Sequence, residues 1–334
     1  WRLTPKLTRV VAAALLWTSL AILLAKINIL RDPAEERALH DIVVPYIQLV
    51  PRYAVFYPWV FITAIFAEIS VISFLLAFGI LYVSTGYVEK FWGYREVLKF
   101  ILIVGAVTNL LTVIVTIVSN IFRGDVLGMD KPLGGGVSYY FGFLVVFKQL
   151  IPEHNVVLFQ GLVNFRVKHL PFALLLCVCA WSAFMQTLYP VLPSVMSFFV
   201  AYLYLRFHQL FFADPLLPIT TASGENSSTY VVSGDASDAF QLVEFFPAIS
   251  KPYLGPVINS VYEMSVFLGI VTPFNDDAIE QSNMRVQKFS EQVKQANTLI
   301  ANSVAERRRQ VALQVIEERA NQARDRVFGF ERGV

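Results

Sequence analysis

Charged residues are scarce in this sequence, and their scarcity excludes an ordinary soluble protein. Only 16% of the 334 residues are Asp, Glu, Lys or Arg, whereas 56% are hydrophobic. A soluble domain of this length covers its surface with far more charge. The composition therefore predicts a membrane protein. The net charge is only +2 and no long basic run occurs, so the sequence gives no support for nucleic-acid binding.

Cysteine and histidine are also rare, with two and four copies respectively. Cys177 and Cys179 lie two positions apart in an apolar run. Residues at that spacing point to different faces of a helix. The pair can therefore neither chelate a metal nor form a relaxed disulfide, and the sequence predicts no cofactor.

The sequence contains several long apolar runs. A helix needs about 20 mostly apolar residues to cross a bilayer. Runs without charge occur at 10–25, 100–122, 133–147 and 170–205, and a further run over 53–88 is interrupted by Glu68. Pro190 and Pro193 break the longest run, which predicts two short spans over 171–188 and 192–207. One long kinked span is the alternative. We therefore predict an all-α membrane protein with six spans.

The first run, 10–25, resembles a signal peptide, but no small-residue cleavage site follows it, which favours a retained anchor.

The basic residues in the segments that connect the spans predict an orientation. With the N-terminus in the cytosol, the cytosolic segments hold ten Lys and Arg residues and the opposite segments six. The positive-inside rule then predicts that both ends are cytosolic. The mixed first connection, 28–57, is expected at the membrane interface.

Three segments of different composition follow a predicted membrane core over 1–207. Residues 208–238 are rich in Ser, Thr, Gly and Asp, which predicts a flexible linker. Residues 239–275 are apolar again and predict a membrane-proximal segment, packed on the membrane face or against the core. Residues 276–334 mix both charges and predict a long charged amphipathic helix, which could form a coiled coil, dock on a partner or remain solvated.

The stretch 134–147 resembles the active-site helix of rhomboid intramembrane proteases, whose pattern has the form G-A-S-G-A-I-F-G-L. When the Phe-Gly pair is matched to Phe141 and Gly142, the nucleophile position falls on Val137. A valine side chain cannot attack a carbonyl. The neighbouring Ser138 is one residue off the register, or about 100° around a helix.

A second rhomboid pattern has the form W-R-x-x-T-x-x-F-x-H, with an Asn and then E-x-x-W-G further on. Here Glu68 stands in place of the His and Ala77 in place of the Asn. The positions that match are Trp59, Thr63, Phe66, Glu89, Trp92 and Gly93. The resemblance implies a rhomboid-like helical bundle.

The residues that peptide hydrolysis requires are missing from the matched positions. A serine nucleophile needs a general base and donors for the oxyanion. The predicted sixth span, 192–207, contains no histidine, and neither Glu68 nor Ala77 supplies an imidazole or an amide. We therefore predict a protein without peptidase activity. Ser138 is expected to bond a helix carbonyl or contact a neighbouring helix.

Other residues of these motifs have structural interpretations. Glycines let membrane helices approach closely, which is the role expected at Gly134, Gly135, Gly136 and Gly142. Glu68 is either a proton or substrate handle within the second span or an interfacial residue just inside it. The second interpretation is favoured because Glu68 lies close in sequence to Tyr57 and Pro58.

Three segments resemble the eukaryotic transmembrane protein 115 family, which consists of rhomboid-like pseudoproteases of the Golgi. They are FGFLVVFKQLIPEH at 141–154, YLYLRF at 202–207 and GDASDAFQLVEFFPAISKP at 234–252. The resemblance covers about residues 5–275 and leaves 276–334 outside. It implies a self-associating Golgi protein, linked to retrograde traffic to the endoplasmic reticulum through the conserved oligomeric Golgi tethering complex.

The leading functional hypothesis is a non-enzymatic membrane scaffold. Its core would bind the bilayer and client segments, and its cytosolic region 208–334 would dock protein partners. A structural subunit of a larger organellar membrane complex is the alternative. A residual hydrolase that uses Ser138 is less well supported, because the predicted sixth span offers no histidine as its base. A transporter is also less well supported, because the spans contain few polar residues and no inverted repeat is visible.

Overall fold

Apolar helices form most of the chain. The computed structural model describes residues 5–31, 42–68, 70–125, 127–133, 135–151, 155–158, 163–212 and 231–288, together with the single residues 291, 306, 309 and 313. The helices are α1 (Lys6–Leu30), α2 (Val60–Thr63), α3 (Val71–Trp92), α4 (Tyr94–Arg123), α5 (Val137–Leu150), α6 (Leu170–Met185), α7 (Val191–Leu203) and α8 (Lys251–Phe267).

Within the described residues, five helical segments are long and apolar enough to cross a membrane. They comprise α1, α3 and α4, the segment Val167–Met185, and the segment Val191–His208. The break near Pro190 therefore separates two spans as predicted. The helix α5 is shorter, with 14 residues, and its length of about 21 Å falls short of a hydrocarbon core of about 30 Å.

Local sequence signals fix several helix ends. The Ser70 hydroxyl accepts a hydrogen bond from the Ser73 amide at 3.1 Å and so caps α3. Gly93, with φ of +79°, ends α3 and begins α4. At this left-handed φ a glycine avoids the strain that a side chain would introduce.

Contacts with α5 define the centre of the bundle. Its most extensive packing is against α7, and α4 packs against both helices. The rings of Tyr139, Phe143 and Phe100 are fully buried there. The Gly142 amide donates a hydrogen bond to the Ser197 hydroxyl of α7 at 3.1 Å. Small residues thus bring α5 and α7 into close contact, as is common between membrane helices.

The described part of the first connection, residues 42–58, has two faces. Leu49 and Ala54 are buried with α2 and with Val113 of α4. Val55 and Phe56, by contrast, are 76% and 73% exposed. One side of the connection therefore packs on the bundle, so it is part of the core as well as a surface segment.

Two short antiparallel strand pairs modify the all-α prediction. β1 (Asn155–Leu158) pairs with β2 (Val163–Arg166), and β3 (Leu210–Phe212) pairs with β4 (Val231–Ser233). Both pairs lie outside the apolar helices. The prediction of a mostly helical chain is confirmed, whereas its all-helical form is wrong in these two places.

Both ends of the predicted linker 208–238 are ordered where the structure describes them. Residues 213–230 lie outside the described residues, but β3 and β4 are paired and Ser237 is fully buried. Residues 1–279 form one compact unit, which includes both the predicted core 1–207 and the predicted segment 239–275. The polar residues of 235–237 have backbone and side-chain partners that composition does not reveal.

The second compact unit comprises residues 280–334. Residues 280–288 are helical, as are the single described positions 291, 306, 309 and 313. The rest of the predicted charged helix 276–334, including its apolar stripe, lies outside the described residues.

Candidate functional site

Glu68 lies at a break in the chain, which corrects its predicted place within the second span. The short helix α2 continues as a 3-10 turn over Ala64–Phe66, and α3 begins only at Val71. Glu68 falls between them and is 8% exposed. The continuous apolar composition of 53–88 hid this break.

The Glu68 carboxylate binds the start of α5. Its Oε1 atom accepts a hydrogen bond from the Gly136 amide at 2.6 Å. Gly135 precedes with φ of +85°, and a Cβ atom there would lie 2.8 Å from Glu68 Oε2. Glycine is therefore needed at position 135 both for its backbone angle and for the approach of the carboxylate. A carboxylate at a helix N-terminus also interacts favourably with the helix dipole.

Burial and hydrogen bonding act in opposite directions on this carboxylate. Burial disfavours the charged form and raises the pKa of Glu68 from 4.5 to about 7, although the hydrogen bond from Gly136 lowers it. The side chains of Tyr140 and Tyr189 interact electrostatically with Glu68. Glu68 thus changes its charge near neutral pH.

This raised pKa predicts a pH-dependent stability. The folded chain holds the Glu68 proton more tightly than the unfolded chain, so the resulting stability is complete below about pH 4.5 and is lost as pH rises through about 7. The difference amounts to at most about 3 kcal/mol. We expect the melting temperature of the solubilised chain to fall between about pH 5 and pH 8.

Glu68→Gln is the matched variant, because its amide oxygen still accepts the Gly136 bond but cannot ionise. We expect its melting temperature to vary less across the same pH range and to exceed that of the wild type at the alkaline end. Parallel pH profiles for the two proteins would contradict the assignment.

The other positions that correspond to a rhomboid active site are apolar or locally bonded. Val137 is the first residue of α5, and Ala77 is fully buried in α3. The Ser138 hydroxyl, also fully buried, donates to the Gly135 carbonyl at 3.0 Å. The helix α7, which faces α5, contains no histidine. Val137 and Ser138 thus lie at the start of α5, and the Ser138 hydroxyl is bonded within its own turn.

The residues that match the second rhomboid pattern make structural contacts. Trp59 Nε1 donates to the Tyr46 carbonyl at 3.2 Å, and the Thr63 hydroxyl donates to the Ile47 carbonyl at 3.3 Å. Both bonds hold the first connection on α2. Phe66 lies in the 3-10 turn after α2. Glu89, Trp92 and Gly93 lie around the α3–α4 turn, where Gly93 provides the bend and Trp92 packs edge-on against Phe100 at 5.6 Å.

Glu89 from the same pattern caps α1, which has no capping side chain of its own. Its carboxylate accepts hydrogen bonds from the amides of Leu7 and Thr8, both at 3.0 Å, and from the Thr8 hydroxyl. The acidic group therefore satisfies free amide donors of the first helical turn. It fixes α1 against the end of α3.

The described glycines of the active-site stretch have different positions. Gly142 lies in the helix interface, where a Cβ would meet Phe100 and Val104 at 3.3 Å. Gly135 and Gly136, for which a helix-packing role is predicted, precede the helix. They form the turn that binds Glu68. Gly134 lies outside the described residues.

A second cluster lies where the last membrane helix ends. α7 continues as a π-helical turn over Tyr204–His208, and the Gln209 amide donates to the Tyr204 carbonyl at 2.9 Å. π-helical turns are rare and often occur at functional sites. This turn directs the carbonyls of Leu205 and Arg206 toward the segment 234–247, which we call the cap segment.

Hydrogen bonds fix the cap segment to this turn and to α5. The Asp235 amide donates to the Leu205 and Arg206 carbonyls at 3.2 and 3.1 Å. In return, Arg206 Nη1 donates to the Asp235 and Ser237 carbonyls at 2.6 and 2.8 Å. Gln149 of α5 donates to Asp235 Oδ2 at 2.9 Å. The buried backbone is thus paired, as a stable interior requires.

An aromatic cluster fills the space beneath the cap segment. Phe245 is fully buried, and its ring centroid lies 5.2 Å from that of Phe198, 5.8 Å from Tyr202 and 5.7 Å from Phe240. Lys148 of α5 is 2% exposed and places its Nζ atom 3.3 Å from the Phe245 centroid. The Phe245 ring is therefore the partner that the described structure gives to this buried amine.

The three segments that predicted the family meet in this one cluster. Lys148 and Gln149 come from 141–154, Arg206 from 202–207, and Asp235 and Phe245 from 234–252. Sequence patterns alone assign no functional role to these residues. A lysine inside an apolar run was the available signal, since such a residue needs a specific partner. No group of His, Cys, Asp and Glu that could hold a metal occurs among the described residues.

Comparison with known proteins agrees with the fold and with these motifs. Residues 9–322 match the family model described as "Eukaryotic integral membrane protein (DUF1751)". The chain is 32% identical to the Transmembrane protein 115 homolog of Saccharomyces cerevisiae over 303 residues, 87% of this chain and 84% of that protein. It is 28% identical to Rhomboid-like protein 19 of Arabidopsis thaliana over 222 residues, 66% of each chain.

The extent of the match corrects one prediction. The family was expected to end near residue 275, but its model continues to 322. Most of the charged segment 276–334 is thus part of the family, although its mixed polar sequence carries no motif that reveals this. The chain belongs to the DUF1751 family of eukaryotic integral membrane proteins, which is the transmembrane protein 115 family that its motifs predict.

Proposed function

We propose that this protein is a non-catalytic, rhomboid-like membrane scaffold. The observation that carries the proposal is the Glu68 carboxylate bound to the Gly136 amide beside Val137. Acyl transfer requires donors that stabilise a developing oxyanion. At the start of α5, the buried Glu68 side chain already accepts the hydrogen bond of the Gly136 amide. Its carboxylate would therefore repel an oxyanion that developed there. The arrangement favours a closed, structural site over a protease.

The same proposal includes a membrane topology. α5 serves as a sixth crossing, enclosed by α4 and α7, and both ends of the chain lie in the cytosol. Its short length is compatible with this role because its ends contact protein: Glu68 lies at the first turn and the cap segment at the last. The excess of Lys and Arg in the assigned cytosolic segments supports the orientation.

The absence of catalysis is testable with a fluorophosphonate probe. We expect the purified full-length chain to be labelled no more than its Ser138→Ala variant, because Ser138 donates to the Gly135 carbonyl and has no base. An active rhomboid protease in the same detergent serves as the positive control. Labelling of the wild type that disappears in Ser138→Ala would overturn the proposal.

We further propose that the scaffold acts in Golgi membranes, in retrograde traffic to the endoplasmic reticulum, through self-association and tethering-complex partners. The resemblance to the transmembrane protein 115 family supports this assignment. Crosslinking and affinity purification of the full chain from native membranes should recover Golgi tethering subunits. Recovery of one fixed assembly from another organelle would support a structural subunit instead, and blue-native electrophoresis would show its stoichiometry.

The partner-binding region is proposed to be the charged segment after residue 279. A truncation after 207 is unsuitable as a test, because it removes the buried Phe240 and Phe245 from the core. Truncation after 279 respects the boundary between the two compact units. We expect this shorter chain to keep the melting temperature of the full chain but to lose the tethering subunits. Unchanged recovery would exclude 280–334 as the docking region.

A further inference from the structure

The helix α8 is held in one orientation by contacts along its length. At its start, Lys251 forms an ion pair with Glu244 of the cap segment at 2.7 Å. Further along, the Tyr262 ring stacks on Phe207 with a centroid distance of 6.4 Å. Phe207 also stacks on Phe274 at 5.5 Å, beyond the helix. One face of α8 is thus fixed against the cap segment and the end of the last membrane span.

The opposite face is apolar and exposed. Its large side chains range from 60% exposure for Val257 to 87% for Phe267. By helical geometry they fall within an arc of about 120°. The members of this stripe are Tyr253, Val257, Val261, Met264, Phe267 and Leu268. Ser260 is an exposed polar residue within this arc, and its hydroxyl donates to the Pro256 carbonyl at 3.0 Å. An exposed surface that is otherwise apolar marks a binding surface, and the contacts of Lys251 and Tyr262 prevent the helix from turning it inward.

Charge and position identify what covers the stripe. The stripe contains no charged residue, and the exposed polar residues Asn259 and Glu263 lie at its edge. The helix is also attached by ring stacking to Phe207, within the span Val191–His208. An apolar face flanked by polar residues at the end of a span matches the geometry of an interfacial helix, and tyrosine is favoured at that depth.

We propose that α8 lies in the membrane interface and that its apolar stripe binds the lipid acyl boundary. The contact is hydrophobic and independent of acidic headgroups, because the stripe has no basic residue. It continues the lipid contact of the last span onto the segment that follows the cap. The cap segment is thereby held between the helix bundle and a helix that rests on the bilayer.

Spin labelling of the full-length chain in phosphatidylcholine nanodiscs tests this proposal. Cys177 and Cys179 are first replaced by serine, and a single nitroxide is placed at 257, 261 or 259. Collision rates with oxygen and with a water-soluble nickel chelate then report depth. We expect labels at 257 and 261 to lie about 5–10 Å into the interface, with high oxygen and low nickel accessibility. The label at 259 is the matched control and should show the reverse.

Three results would overturn the proposal. Nickel accessibility at 257 and 261 equal to that at 259 would mean that the stripe faces water. Protection of 257 and 261 from both reagents would mean that protein covers it, either residues 280–334 or a second copy. Depth values that change when half of the lipid is replaced by phosphatidylserine would indicate binding through charge. Elution as a single species confirms that each labelled chain is folded.

Discussion

Phe245→Ala is expected to destabilise the protein more than any other single truncation in the cap segment. The ring is fully buried, contacts Phe198, Tyr202 and Phe240, and lies over Lys148 Nζ. Loss of a buried phenylalanine ring costs about 3–5 kcal/mol. The variant also leaves the buried amine of Lys148 without its aromatic partner, which adds to the cost. Thermal melting in detergent measures the combined effect.

A double-mutant cycle separates the two contributions. Lys148→Met retains an apolar stem and removes the buried amine, so we expect it to restore part of the stability lost in Phe245→Ala. Because the two side chains are in contact, the coupling energy between them should be about 0.5–3 kcal/mol. Phe267→Ala removes the same ring from a position that is 87% exposed and should leave the melting temperature unchanged. Additive effects at 148 and 245 would contradict the predicted contact.

Gly234→Ala is expected to release the cap segment from the end of the last span. Gly234 has φ of +79°, and a Cβ atom there would overlap the carbonyl oxygen of Arg206. The unfavourable backbone angle alone costs about 1 kcal/mol. The overlap is with backbone, so relief requires separation of the two segments and loss of the bond from the Gly234 amide to the Gln209 carbonyl, now 2.7 Å long. The total loss of folding stability should clearly exceed the cost of the unfavourable backbone angle alone.

Hydrogen exchange measures this release directly. In Gly234→Ala, we expect the Asp235 amide, which donates to the Leu205 and Arg206 carbonyls, to exchange much faster than in the wild type. Gly269→Ala is the matched control, because Gly269 has φ of +70° but open space around its Cβ position. It should show only the backbone cost. Equal destabilisation by both variants would mean that the Arg206 contact is unimportant.

Local patterns account for the parts of the fold that could be predicted. Spans over 100–122, 171–188 and 192–207 correspond to α4, α6 and α7, because apolar length is a property of a continuous stretch. The break at Pro190 followed from the geometry of proline. The same reasoning missed the break at Glu68, where the carboxylate binds the amide of Gly136, a residue distant in the sequence.

The family motifs likewise show that a sequence pattern can mark a residue without revealing its partner. The sequence singled out Glu89 and Trp59 by position, but not that Glu89 caps α1 or that Trp59 binds the Tyr46 carbonyl. The polar composition of 231–238 predicted a linker, whereas Asp235 and Ser237 are buried by partners on α5 and on the π-helical turn. Composition measures the cost of burying a polar group, and only the contacts show whether that cost is offset.

The sequence by itself determined that this is a helical membrane protein of the transmembrane protein 115 family, and it predicts Val137 at the rhomboid nucleophile position. These properties depend on hydrophobic length and on motifs within short stretches. Only the tertiary structure decided that Glu68 binds the start of α5, and that Lys148 lies over Phe245 beneath the cap segment. Such pairs join residues far apart in the chain, and their partners are selected by helix packing rather than by local sequence.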